Sequence, residues 1–133
     1  EAFEIMKTIM KFNYQNIYLI DRVQIHTNYV KLILNSIFDF FIKYDLMARD
    51  SNTNIIDEIS KDKDQFPHAI NGFIHWLEKY SVMNGAKRDS LYQNKVIYDF
   101  INDDKAIIKS ILDYLSGMSD AYIIQIFNEL ISF

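Results

Sequence analysis

Apolar residues recur at three- and four-residue intervals along almost the whole chain, and that period predicts helices. Between Glu1 and about Phe12, the residues Phe3, Met6, Ile9 and Met10 share one face of a short amphipathic helix. The longest stripe runs from about Asp21 to Tyr44 through Val23, His26, Val30, Ile33, Ile37, Phe40 and Tyr44, and is widened by Tyr29, Leu32, Leu34, Phe38 and Phe41. A helix so apolar needs cover on more than one side, so it is predicted to be the central one. Ala48 to Asn54 is polar and reads as a loop, with Asn52 or Thr53 as cap of a short helix over Asn54 to Ser60. Lys61 to Asp64 reads as a solvated run. Pro67 suits a first helical turn, where its missing N–H costs nothing. Behind it Phe66, Ile70, Phe73, Leu77 and Tyr80 form a stripe with Trp76 beside it. Gly72 costs that helix about 1 kcal/mol relative to Ala, which predicts close packing there.

Asn84-Gly85 signals a turn, and Gly85 to Ser90 is the expected mobile loop; neither flank alternates with the period of two that a hairpin needs. The last third predicts a helix over roughly Leu91 to Ile101. Another covers Lys105 to Leu115, with Ile108, Ile111, Leu112 and Leu115 facing the core. Gly117 reads as a left-handed terminator. Ser119 is the expected cap of a final helix carrying Ile123, Ile126, Phe127 and Leu130, with Asp120 in its first turn where the dipole favours an anion. The expected fold class is all-α: an irregular bundle of five to seven helices with no sheet, forming a single helical domain over residues 1–133.

Composition agrees with a folded chain. Half of the residues are hydrophobic and 15% aromatic, enough apolar material to offset chain entropy. The net charge of −4 argues against a duplex-binding surface, which needs clustered Lys and Arg to release counterions. There are no cysteines, which excludes disulfides, thiolate metal sites and Cys nucleophiles and suits a cytoplasmic home. No apolar run approaches the roughly 20 residues of a membrane span. The start, Glu1-Ala2-Phe3-Glu4, is acidic and lacks an initiator Met; it is no signal peptide, and it predicts that the chain belongs to a longer one.

Candidate chemistry is sparse. His26, His68 and His75 are the only histidines, with neither a His-Asp doublet nor a His-Glu-x-x-His motif. His26, on an apolar stripe, is expected to be buried and hydrogen-bonded. His75 and Glu78, one turn apart, offer two metal donors but no partner pair on another helix. Asp99, Asp103, Asp104 and Asp113 read as solvated helix faces. No Gly-x-Ser-x-Gly elbow or phosphate-cradling Gly-rich loop occurs. Lys87-Arg88 is the only basic pair and the candidate phosphate contact. No catalytic residue is assigned on this chain.

The most distinctive stretch is Leu112-Asp113-Tyr114-Leu115-Ser116-Gly117-Met118-Ser119-Asp120-Ala121-Tyr122. It resembles the C-terminal signature of the HD-domain deoxyguanosine triphosphate triphosphohydrolases, commonly Asp-Tyr-Ile-(Ala/Ser)-Gly-Met-Thr-Asp-x-Tyr. Ser119 stands for the usual Thr, and Ala121 sits where Arg is frequent. Met10 to Asn16 followed by the long helix from Arg22 to Tyr44 is similar, more loosely, to the segment that follows the metal-binding HD domain in that family. The middle, from about Asp45 to Asp103, carries no resemblance.

The family's metal-holding histidine, His-Asp doublet and later aspartate all lie N-terminal to this region. The resemblance therefore implies a C-terminal helical part of an enzyme that cleaves dNTPs into deoxynucleoside and tripolyphosphate. It further implies a divalent metal in the parent's HD domain, contacts to that domain, and a homo-oligomer. The chain alone is expected to be inactive. Within the signature, Gly117, Met118, Ser119, Asp120 and Tyr122 are expected to build a tight corner between two helices, the alternative being that Asp120 and Tyr122 reach a nucleotide pocket. The rival reading, from the excess of aromatics, is a free-standing module that takes a partner helix in an apolar groove.

Overall fold

The computed structural model describes residues 1–51, 53–82, 92–100 and 102–132. Among them are six α-helices, one π-helical turn and no strand, so the all-α expectation holds. The chain divides into two compact units, Glu1–Ile33 and Leu34–Phe133.

The first unit contains helix α1 (Ala2–Asn13), the π-helical turn Tyr14–Tyr18, and the beginning of α2 (Asp21–Ser51). Phe3, Met6, Ile9 and Met10 do share a face of α1, yet they are exposed. Tyr29, Val30 and Leu32 of α2 are exposed as well, so the expected cover of this stretch on more than one side is not found. His26 is exposed too, contrary to the buried histidine expected. Its stripe supplies the apolar period but nothing in this unit lies over it. Ile33 is the one buried residue of the unit.

The second unit holds the core. From α2 it takes Ile37, Phe41, Tyr44 and Ala48, all buried. The helix does not stop near Tyr44: it runs on to Ser51, because Ala48 continues the buried stripe and Arg49 pairs with Asp45 one turn back at 2.9 Å. The polar stretch expected to be a loop thus begins inside a helix. The cap of α3 (Ile55–Ser60) is Asn54, whose side chain accepts from the Ile56 amide. Thr53 instead donates its hydroxyl to Glu58 at 2.7 Å, and Asn52 lies outside the described residues. Lys61 and Thr53 hold the Glu58 carboxyl below its ordinary range. The solvated run Lys61 to Asp64 also has a structural member, since buried Tyr44 donates to Asp62 at 2.6 Å.

Helix α4 (Pro67–Tyr80) begins on Pro67 and buries Ala69, Ile70, Phe73 and Leu77, the stripe its spacing predicts. The helix expected over Leu91 to Ile101 is not formed by the described residues 92–100. Ile97 and Tyr98 donate their amides to the Tyr80 carbonyl at 2.8 and 3.1 Å, and Ser81 and Tyr98 form an isolated parallel bridge. Tyr98 is buried while Val96 and Ile97 are exposed. β-Branched residues around an anchored Tyr suit extended backbone, and the open carbonyl end of α4 supplies the partner. The Asn84-Gly85 turn, the loop at Gly85 to Ser90, and Leu91 and Ile101 fall outside the described residues.

Helices α5 (Ala106–Ser116) and α6 (Asp120–Ile131) complete the unit. The core side of α5 is rotated from expectation: Ile107, Ile111, Tyr114 and Leu115 are buried, whereas Ile108 and Leu112 are exposed. Tyr114 wins its place by packing on aromatic neighbours, with ring centroids 5.2 Å from Phe73 and 6.0 Å from Phe41. Phe41 and Phe73 lie 4.4 Å apart between them. This aromatic contact ties α2, α4 and α5 together, and Ile126 and Phe127 bring in the buried side of α6.

Candidate functional site

The signature segment folds as a corner. Helix α5 ends at Ser116, α6 begins at Asp120, and Gly117 to Ser119 make the bend. Gly117 is not left-handed: its φ of −88° and ψ of −4° are ordinary right-handed values. Its amide donates to Asp113 and Tyr114 carbonyls at 3.1 and 3.2 Å, which closes the helix without a positive φ. A Cβ added there would meet the Asp113 and Tyr114 carbonyl oxygens at 3.4 and 3.7 Å, ordinary contacts. Ser119 caps α6 as expected, accepting from the Tyr122 amide at 3.3 Å. Met118 is half-buried in the bend, and Asp120 lies exposed in the first turn of α6.

The tyrosines of the segment point at one place on α4. Tyr122 donates its hydroxyl to the His68 carbonyl at 3.2 Å. With its single proton so used, it accepts from Tyr114, 3.1 Å away. Burial, then this hydroxyl pair, pushes the Tyr114 phenol far above its usual range. Both hydroxyls sit against Gly72, where an added Cβ would collide with each of them. The close packing predicted at Gly72 therefore has a specific content: a bare backbone leaves room for two phenol oxygens.

The same end of α4 is held by α6. Phe66 provides no side-chain cap, and the amides of His68 and Ala69 instead donate to the Glu129 carboxylate at 2.9 and 2.8 Å. The His68 ring nitrogen Nδ1 lies 3.0 Å from the same carboxylate. Burial pushes the Glu129 carboxyl up, but the two amides and the imidazole outweigh it and leave it below its ordinary range. A carboxylate at a helix N-terminus is stabilised by the orphan amides and the dipole together. On the other side, Tyr98 donates to Asp113 at 2.9 Å.

Sequence patterning missed Tyr98, Tyr114, His68 and Glu129 as members of this network. His68 and Glu129 lie 61 positions apart, and nothing local signals their meeting. For Gly72 the signal was present, a helix-breaking residue inside an apolar stripe.

Other candidates stay apart from this corner. Lys87 and Arg88 lie outside the described residues. His75 and Glu78 approach only to 3.9 Å on an exposed surface. Among the described residues, no group of three or more His, Asp or Glu side chains is arranged to hold a metal ion. A cleft of about 300 Å³ lies between α2, α3 and the start of α5, bordered by Asp45, Arg49, Phe100 and Asp104. Within it Arg49 donates to the Asp45 carboxylate and to the backbone carbonyl of Asp104. Lys109, followed by the Lys105 amide, holds Asp103 below its usual carboxylate range. A second cleft of about 390 Å³ is bordered by Ile97, Tyr98, Lys109 and Asp113. Gly117 to Tyr122 line neither.

Compared with models of protein families, with curated proteins and with solved structures, the chain matches none. No helix among the described residues is long and apolar enough to cross a membrane.

Proposed function

We propose that this chain is the C-terminal helical accessory domain of a dNTP (dGTP) triphosphohydrolase-like protein, cytoplasmic, whose metal-dependent HD core lies outside the chain. The reading rests on the resemblance of Asp113 to Tyr122 to that family's signature. The observation that supports it best is the use made of those residues. Tyr114 and Tyr122 spend their hydroxyls on each other and on the His68 carbonyl, and one carboxylate oxygen of Asp113 accepts from Tyr98. Side chains engaged in this way act as struts and not as ligands for a nucleotide. A rigid α4–α5–α6 corner suits a domain that buttresses a neighbouring core and its subunit contacts. The dNTP and the divalent metal belong to the parent's HD domain, and no duplex nucleic acid is among the partners.

Two assays test the reading. The chain alone, given dGTP and a divalent metal, should release no tripolyphosphate; the parent protein should release it. A parent without that activity removes the enzymatic assignment.

One observation favours a second reading, that of a free-standing interaction module. The apolar residues of α1 are exposed along its length, as they are on surfaces that take partners. A His-Asp doublet encoded upstream in the same reading frame separates the two, since only the first reading requires it.

A further inference from the structure

The cleft between α2, α3 and the start of α5 holds about 300 Å³, the small end of the range that ligand sites occupy, roughly 300–1,000 Å³. It lies apart from the Gly72 corner. Ile55, Ile56 and Ile107 give it apolar lining, and Arg49 and Asp104 are among its charged residues.

The charges around it are not all matched. Arg49 donates from Nε to the Asp45 carboxylate at 2.9 Å and from Nη2 to the Asp104 carbonyl at 3.0 Å. A guanidinium carries five N–H donors, so both of Nη1 and one of Nη2 stay available on a group already held in place. Asp103 is taken, by Lys109 at 2.6 Å and by the Lys105 amide at 3.0 Å. The Asp104 carboxylate is different: among the described residues it accepts no hydrogen bond and pairs with no base.

These groups select a ligand by sign. A plain anion could use the Arg49 donors, but the unpaired Asp104 carboxylate opposes it. A plain cation suits Asp104 and leaves the guanidinium donors without an acceptor. A molecule with a carboxylate and an ammonium satisfies both, and the planar fork of Arg49 is shaped for a carboxylate. The isoleucines then receive an apolar side chain. A free α-amino acid with an aliphatic or aromatic side chain has this combination, at a size that a cleft this small admits.

We propose that this cleft binds a free apolar α-amino acid, with Arg49 holding its carboxylate and Asp104 its ammonium. The inference does not rest on the triphosphohydrolase reading. Arg49 belongs to α2 and Asp104 to the segment before α5, so an occupant ties these two parts together and stabilises the second unit by mass action.

Calorimetric titration of the full chain with L-leucine and L-phenylalanine tests it, with thermal melts at the same concentrations. The expected result is saturable binding and a melting temperature that climbs with ligand. Asp104→Asn keeps the shape and removes the charge, and should weaken leucine binding about tenfold or more, the scale of a charge-assisted hydrogen bond. Leucinamide lacks the carboxylate and N-acetyl-leucine lacks the ammonium; each should bind at least about tenfold more weakly than leucine. Arg49→Lys keeps the charge and loses the fork, so it should weaken leucine while leaving leucinamide unchanged. Neither heat nor a melting shift at about 10 mM of either amino acid, beyond the weak end of specific binding, would overturn the proposal. Wild-type affinity in Asp104→Asn would overturn it as well. Leucinamide binding as tightly as leucine would leave a site for amines only, and N-acetyl-leucine doing so would leave one for carboxylates only; either result removes the amino acid.

Discussion

Residues 1–33 and residues 34–132 are written in the same apolar period and meet opposite fates. In the second region Ile37, Phe41, Ile70, Phe73 and Ile111 lose all contact with solvent. In the first, side chains of the same kind along α1 remain more than half exposed. The difference lies in what stands opposite each stripe. Helix α4 finds α3, α5 and α6 on its flanks and a carboxylate from α6 on its N-terminus. Helix α1 finds the π-helical turn that follows it in sequence. Period gives a helix a face, and a second layer turns the face into a core.

Substitutions can break this contrast, and the largest effect belongs to the aromatic centre. Phe73→Ala removes a fully buried ring that touches Phe41 and Tyr114, and should cost about 3–5 kcal/mol in urea denaturation. Gly72→Ala comes next. Its methyl group drives into the Tyr114 and Tyr122 hydroxyls, at a cost of about 1–3 kcal/mol. Tyr122→Phe in that background should recover part of the loss, and no recovery would mean that the clash lies elsewhere.

Glu129 gives a smaller effect with a pH signature. Its folded carboxyl sits below the ordinary value of 4.5, so its stabilisation is complete above the unfolded value. That stabilisation is lost as pH falls through the lower, folded value. Thermal melts should show wild type and Glu129→Gln diverging near neutral pH and converging in acid, whereas a constant gap would assign the loss to packing. The smallest effects sharpen the contrast from its other side. Met10→Ala in the first region, measured at dilution, should stay within about 0.5 kcal/mol of wild type. Gly117→Ala should do the same, because the bend there is right-handed; a loss above about 1 kcal/mol, the scale of a left-handed penalty, would contradict that geometry.

Helix existence was legible wherever an amphipathic stripe was long, as at α2, α4 and α6, and so was the Ser119 cap. Helix faces were less so. Ile108 and Leu112 have the better hydropathy, but Tyr114 turns α5 toward Phe73 because an aromatic cluster and a hydroxyl partner wait there. The segment 92–100 contains helix-compatible residues, and tertiary hydrogen bonds to the Tyr80 carbonyl override them. The network around Gly72 was visible from one side only. A glycine in a helix announces an intruder without saying which side chains intrude.

The gap at Gly72 also indexes the helix. Turning α4 by one residue would present Asn71 or Phe73 to the paired phenols, and sliding it by a turn would present His68 or Trp76. Each of these carries a side chain that the phenols have no room for. One missing methyl group therefore serves as a keyway, admitting a single rotational setting of α4 against the corner and rejecting the near misses that a merely greasy contact would tolerate.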